Sequence, residues 1–167
     1  MASTMEHTVS YPFSVSRLWE ILSSEQYWRD LLDAINSSHG QLDSFDVTGD
    51  TITVVMQQGV PAEKLPSVVT KVRPGDLEIP RRNTFTLAGD RITGEMTATV
   101  SGAPAKVNGA FVTSGDPAST RYTADVEVSV PFVGGKIEKA IIDQLVELLD
   151  AEQEQTVAWE AAHRSPS

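Results

Sequence analysis

Arg81 and Asn83 are the residues whose types and spacing are best suited to recognising a polar group. They occupy odd-numbered positions of the segment 77–87, in which the other odd-numbered residues are leucine, isoleucine and phenylalanine. Alternate residues of a strand share one face, so an apolar face that points inward carries Arg81 and Asn83 inward as well. A buried guanidinium needs an anion or several acceptors, so one interpretation is that Arg81 and Asn83 bind the polar end of a ligand. The alternatives are a β-bulge or an edge position that turns Arg81 to solvent, and an internal pair between Arg81 and an acidic residue.

His7 is the histidine whose position suggests acid–base chemistry. It alternates with Val9 and Tyr11 in a segment with a period of two, so it could face a cavity and exchange a proton there. The alternative is a hydrogen-bonded histidine with a structural role. The three histidines show no metal-binding spacing, and a chain without cysteine has no thiol nucleophile, disulfide or thiolate metal site. We therefore expect no metal and no cofactor.

Several large side chains on predicted strands could line a pliable apolar pocket, because thioethers and aromatic rings adapt to irregular ligands. They are Met56, Phe85, Met96, Phe111 and Tyr122. The alternative is that they fill the core. The small residues Gly94, Ala98 and Gly109 on neighbouring strands favour an unfilled space.

The elements that must position these residues follow from the periodicity of the sequence. Residues 38–130 alternate with a period of two and are interrupted by short turn signals, which favours an antiparallel meander. One strand and two short helices precede this region. From about residue 136 to residue 163 there is no proline or glycine, which predicts one helix roughly 40 Å long.

The apolar residues of this long helix recur on more than one side, so more than one side must be covered. We place Ile141 and Leu145 among the candidate cavity-lining residues. The acidic residues are expected on the solvated side of the helix; they are Glu147, Asp150, Glu152 and Glu154. The sequence thus predicts a single α+β domain over residues 5–163, in which a curved antiparallel sheet of about seven strands wraps around the long C-terminal helix.

The segment 59–76 contains three prolines and is too long for a hairpin loop. Inside it, apolar residues recur at helical spacing, and Pro66 is suited to a first helical turn. These residues are Leu65, Val68, Val69 and Val72. We expect a short amphipathic helix that could act as a lid over the entrance to a cavity.

The net charge of −10 and the isoelectric point near 4.6 argue against nucleic acid and anionic membranes as partners. No stretch approaches the roughly 18 apolar residues of a membrane span, so an integral membrane protein is not expected. The first residues show neither the basic region nor the apolar core of a secretory signal, and we expect a cytoplasmic protein.

Six segments, taken in order, carry a resemblance to a known family. They are Ser24-Glu25-Gln26-Tyr27-Trp28, Leu65-Pro66, Pro74-Gly75-Asp76-Leu77-Glu78, Gly94-Glu95-Met96, Ser101-Gly102-Ala103-Pro104, and residues 130–139 around Pro131-Phe132-Val133-Gly134-Gly135. The chain resembles, over nearly its whole length, an uncharacterised and mainly actinobacterial family of the START-like superfamily, whose fold is the helix-grip fold. The resemblance implies a cavity between helix and sheet for an apolar or amphipathic small molecule. It implies no catalytic residue, because START-like relatives include lipid binders, cyclases and dehydratases, and regulators of protein partners.

The predicted function is therefore the binding or carriage of a small hydrophobic or amphipathic molecule, lipid-like or polyketide-like. One alternative is a cyclase or dehydratase that uses His7 or a pocket carboxylate as general acid or base. Another is a protein-interaction module without a small-molecule ligand. The sequence does not decide whether a reaction is catalysed, and it does not identify a protein partner.

Overall fold

The computed structural model describes residues 2–36, 40–72 and 74–163, with the backbone alone of residues 36 and 72. The first part of the chain forms β1 (Ser3–Ser10), α1 (Val15–Leu22), α2 (Glu25–Asn36), β2 (Gln41–Thr48) and β3 (Thr51–Val60). A 3₁₀ turn (Ala62–Lys64) and α3 (Ser67–Val72) follow. The chain then forms β4 (Leu77–Ala88), β5 (Arg91–Thr99), β6 (Ala105–Ser114), β7 (Ser119–Val128) and α4 (Gly134–Ala162).

The seven strands form one antiparallel sheet in the order β1-β7-β6-β5-β4-β3-β2. Short turns join consecutive strands from β2 to β7, except where the 3₁₀ turn and α3 lie between β3 and β4. The first strand, β1, pairs with the last strand, β7. β3 shows the alternation most clearly: Ile52, Val54, Met56 and Gln58 are buried while the residues between them are half-buried. The predicted α+β fold, with a curved sheet around the C-terminal helix, is confirmed.

α4 lies across the inner face of the sheet and is fixed along its length by polar contacts. Near its start, Glu138 accepts hydrogen bonds from the Ser3 hydroxyl at 2.6 Å and from the Val128 amide at 3.0 Å. Near its end, the Trp159 indole donates to Asp30 of α2 at 2.8 Å. These contacts fix the helix over both an edge strand and the α2 surface.

The turn into α4 requires a glycine. A Cβ atom at Gly134 would lie 2.7 Å from the carbonyl oxygen of Val128, so a larger residue would push the helix away from β7.

Among the described residues, no helix combines the length and the apolar character that crossing a membrane requires.

Candidate functional site

A cavity of about 540 Å³ lies between α4 and the inner face of β3 to β6. The strands contribute Gln58, Val60, Leu77, Ile79, Arg81, Met96, Ala98, Ala105 and Val107 to its wall. α4 contributes Ala140, Ile141, Gln144, Leu145, Leu148 and Ala151. The segment between β3 and β4 adds Pro61, Lys64, Leu65 and Val69. The wall is therefore mainly aliphatic, and its polar groups are few.

The space is open because small side chains occupy facing positions on the sheet and on the helix. Ala98 of β5 and Ala105 of β6 point inward, and Ala140 and Ala151 of α4 line the same space from the opposite side. Where larger residues stand at equivalent inward positions, the interior is filled. We call the open part the cavity end.

The other part of the interior, here called the aromatic end, is filled by rings in contact. Trp28 of α2 packs on Phe85 with centroids 5.7 Å apart, Phe85 on Phe111 at 5.0 Å, and Phe111 on Tyr122 at 5.7 Å. The ring of Phe111 lies over Gly94, where a Cβ atom would overlap both that ring and the Thr84 carbonyl oxygen. The glycine thus accommodates a ring instead of leaving space for a ligand.

The structure divides the predicted site residues between the two ends. Arg81, Met96, Ile141 and Leu145 line the cavity, as do Leu65 and Val69 of the predicted lid. Met56, Asn83, Phe85, Phe111 and Tyr122 belong to the buried interior and are not part of the cavity wall. Val68 is half-buried beside the wall, and the side chain of residue 72 lies outside the described part of the structure.

Arg81 faces inward and is 4% exposed, but its charge is paired inside the protein. Its Nη1 atom lies 2.6 Å from Oε2 of Glu152, and its Nη2 atom 3.3 Å from Oε1 of the same carboxylate. Nη1 also donates to Oε1 of Gln58 at 2.9 Å, and Nε donates to Oδ1 of Asn83 at 3.1 Å. Burial works to lower the pKa of Arg81, yet the adjacent Glu152 carboxylate raises it overall. Of the interpretations of Arg81, the internal pair with an acidic residue is the one the structure contains.

The expectation that the acidic residues of α4 are solvated is wrong for Glu152. Its side chain is 13% exposed and points toward the sheet, where it contacts Arg81. The pairing depends on how α4 is rotated above β4, two elements that lie 71 residues apart in sequence at this contact. The sequence contained a signal for this position, because Glu152 follows Leu149 by three residues and Leu145 by seven and therefore shares their buried face of the helix.

His7 lies on the inner face of β1, as its alternation predicts, but at the margin of the interface with α4. Its Nε2 atom is 2.7 Å from Oδ1 of Asp150, whose side chain is 55% exposed. His7 is absent from the wall of the cavity formed by the described residues. The contact ties the edge strand to α4.

All three tyrosines of the chain, Tyr11, Tyr27 and Tyr122, resist ionisation. Burial, aided by the charge of Glu152, raises the pKa of Tyr11 to about 12. Burial is also the main cause that raises the pKa values of Tyr27 and Tyr122. The Tyr27 hydroxyl lies 2.7 Å from that of Thr156 on α4, so this phenol fixes α2 against the long helix.

Sequence reasoning missed Gln58, which lines the cavity and is 4% exposed. The signal was present, because Ile52, Val54 and Met56 alternate inward and the next inward position is residue 58. The remaining titratable residues of the wall are Lys64, Lys106 and Glu147, and all three are exposed at its rim. Within the described ranges, no cluster of histidine and acidic side chains is suited to a metal ion.

A sheet curved around a long C-terminal helix, with a cavity between them, is the helix-grip fold. The chain is similar in fold to the Zhui aromatase/cyclase of a Streptomyces species, with a TM-score of 0.57 and 14% identity over 100% of this chain and 98% of that one. It is also similar to norcoclaurine synthase from Thalictrum flavum, solved with dopamine and hydroxybenzaldehyde, with a TM-score of 0.52 and 14% identity over 99% and 90% of the two chains. At these identities the likeness shows the fold alone.

Residues 6–159 match the model of the family described as "Protein of unknown function (DUF2505)". An uncharacterized protein of Mycobacterium tuberculosis is 33% identical over an alignment 172 positions long, which covers 95% of this chain and 97% of that protein. The chain belongs to this family, which confirms the prediction made from the resemblance of its sequence segments.

Proposed function

We propose that the protein binds a small hydrophobic or amphipathic molecule, lipid-like or polyketide-like, in the cavity between α4 and the sheet. The observation that carries this proposal is a mainly aliphatic cavity of about 540 Å³, which lies beside the filled aromatic end of the same interior. Ligand pockets of this size range are usually largely apolar with a few polar groups that orient the ligand. Burial of about 200 Å² of apolar ligand surface would contribute roughly 5 kcal/mol at 25 cal/mol per Å².

The segment between β3 and β4 is the proposed lid. Leu65 and Val69 supply its cavity-facing side chains, and a hydrogen bond of 2.8 Å from the Ala62 amide to Asp76 closes the base of the segment. The exposed residue Lys64 stands at the rim, where the polar end of an amphipathic ligand would meet solvent. Opening of the lid would admit the ligand without disturbing the sheet.

The cyclase or dehydratase alternative requires an acid and a base that converge on the same part of the cavity. His7 and Asp150 contact each other away from the cavity wall, and Glu152 forms an ion pair with Arg81.

The protein-interaction alternative requires a large exposed apolar surface. The large hydrophobic residues exposed in the described part of the chain are Val47 on β2, Val112 on β6 and Phe132 in the turn before α4. Ligand binding is the function that the geometry supports best.

The test is a calorimetric titration of the purified protein with fatty acids, phospholipids and polyketide-like aromatic molecules. Ala151→Phe places a ring in the cavity, whereas Ala158→Phe places the same ring on an exposed position of the same helix. We expect at least one class of ligand to bind at one site. Its affinity should be roughly tenfold or more weaker in the Ala151 variant, a loss of about 1.4 kcal/mol, and unchanged in the Ala158 variant.

Two results would contradict the proposal. One is the absence of binding by every molecule of the panel. The other is a ligand that binds the Ala151 variant as well as the unaltered protein, because such a ligand must lie elsewhere.

A further inference from the structure

The amide of Gln58 has donors that no group in the described part of the protein uses. Its Oε1 atom accepts a hydrogen bond from Nη1 of Arg81 at 2.9 Å. A guanidinium has only donors, so this contact fixes the orientation of the amide and turns Nε2 away from Arg81. Among the described residues, Nε2 has no hydrogen-bond partner.

The unpaired amide nitrogen faces the cavity. Gln58 is 4% exposed and belongs to the cavity wall. No side-chain nitrogen or oxygen that is completely enclosed lacks a partner in the described structure, so the accessible surface left to Nε2 is on the cavity side. A donor that faces the cavity without a protein partner is suited to an acceptor supplied by a ligand.

The electrostatic surroundings favour a neutral acceptor. The charge of Arg81 is already matched by two contacts with Glu152, at 2.6 and 3.3 Å. A ligand carboxylate beside Gln58 would therefore lose its hydration without gaining an unmatched cation, and it would lie near the Glu152 carboxylate. A carbonyl oxygen accepts hydrogen bonds without that electrostatic cost.

We infer that the ligand is an apolar molecule with a neutral carbonyl or similar oxygen at its buried end, which accepts a hydrogen bond from Nε2 of Gln58. This inference rests on the proposed function and narrows its ligand class from hydrophobic molecules in general to oxygenated ones. Hydrocarbon chains whose polar group lies only at the rim would leave the amide unsatisfied.

The experiment compares acetylnaphthalene with ethylnaphthalene, which have nearly the same shape and differ by the carbonyl oxygen. Gln58→Met keeps the length of the side chain and removes the donors. We expect the dissociation constant of acetylnaphthalene to rise about three- to tenfold in this variant. That of ethylnaphthalene should stay the same, which also shows that the variant is folded. Gln58→Glu keeps an acceptor for Arg81 without the amide donors, and it should weaken acetylnaphthalene binding in the same way.

The possible outcomes separate this inference from the proposed function. If neither probe binds the unaltered protein, this inference is overturned, and the proposed function fails as well only if no fatty acid, phospholipid or aromatic molecule of the panel binds. If both probes bind and neither variant changes their relative affinity, the cavity binds apolar molecules while water satisfies the amide, and this inference is overturned. A third probe, naphthoate, should be insensitive to Gln58→Met. A loss of naphthoate affinity equal to that of acetylnaphthalene would overturn the neutral character of the buried group.

Discussion

The two ends of the interior beneath α4 are built on the same strands and have opposite properties. At the aromatic end, the ring centroids of Phe85 and Phe111 lie 5.0 Å apart and the Phe111 ring covers Gly94. At the cavity end, Ala98 and Ala105 occupy the inward positions and about 540 Å³ stays open. The strands β4, β5 and β6 contribute to both ends. The difference lies in the volume of the inward side chains and in the ring of Trp28 that α2 adds at the aromatic end, because the alternation that points residues of these strands inward is the same at both ends.

Between the two ends stands a polar boundary formed by Arg81, Glu152, Gln58 and Asn83. Arg81 touches the cavity on one side and Asn83, which is buried beyond its wall, on the other. A carboxylate and two amide oxygens surround the guanidinium. The comparison indicates that this cluster stabilises the filled interior and also supplies the polar feature of the open one.

The largest expected effect is the loss of stability when Arg81 is removed from the polar boundary. Arg81→Met leaves Glu152 buried without its cation, which should lower the free energy of unfolding by about 3–5 kcal/mol, as measured by chemical denaturation. The matched control is the exposed neighbour in Arg82→Met, for which a change within about 0.5 kcal/mol is expected. Arg81→Met combined with Glu152→Leu should recover most of the loss, because an apolar pair replaces the ion pair. If Arg81→Met alone were as stable as Arg82→Met, the pair of Arg81 and Glu152 would contribute nothing to the stability of the fold.

A substitution of intermediate effect separates the two ends directly on one strand. Gly94→Ala adds a methyl group that overlaps the Phe111 ring and the Thr84 carbonyl, so we expect a loss of about 1–3 kcal/mol. Ala98→Val adds two methyl groups four residues further along, where they enter the open space, and should cost less than about 1 kcal/mol. Thermal or chemical denaturation measures both. Equal costs would mean that the cavity end is packed as tightly as the aromatic end.

The smallest expected effect concerns the pH dependence of the aromatic end. The folded-state pKa of Tyr11 is about 12, above the usual value of 10.0, and those of Tyr27 and Tyr122 are raised as well. A raised pKa in the folded state gives stability that is complete below pH 10 and is lost as the pH rises toward 12. The tyrosinate absorbance should therefore stay low above pH 10 and increase only as the protein unfolds. A phenol that ionises near pH 10 while the circular dichroism stays native would contradict the packing of that end.

The sequence was sufficient to predict the α+β class, because the class follows from periodicity. For Arg81 the alternation allowed an inward position but left a solvent-facing position open as well. It could not decide whether Phe85 and Phe111 line a pocket or fill the core. That outcome depends on the register that places Phe111 opposite Gly94, and on the position of α2 above them. The partnership of Arg81 with Glu152 depends likewise on the position of α4 over the sheet, although helical spacing places Glu152 on the buried face of α4. Gln58 was predictable in principle, since it continues the alternation of β3 by one further position.

The most direct test of the central claim, that one end of the interior is an open ligand site, uses methionines as reporters. Met96 lines the cavity, whereas Met5 is a buried core residue on β1 outside its wall. Nuclear magnetic resonance of carbon-13-labelled methionine methyl groups would be recorded while acetylnaphthalene is added. We predict a saturable shift of the Met96 methyl signal with no change at Met5. If the Met96 signal stays fixed, or if both signals move equally, the cavity end does not bind the probe as a defined site.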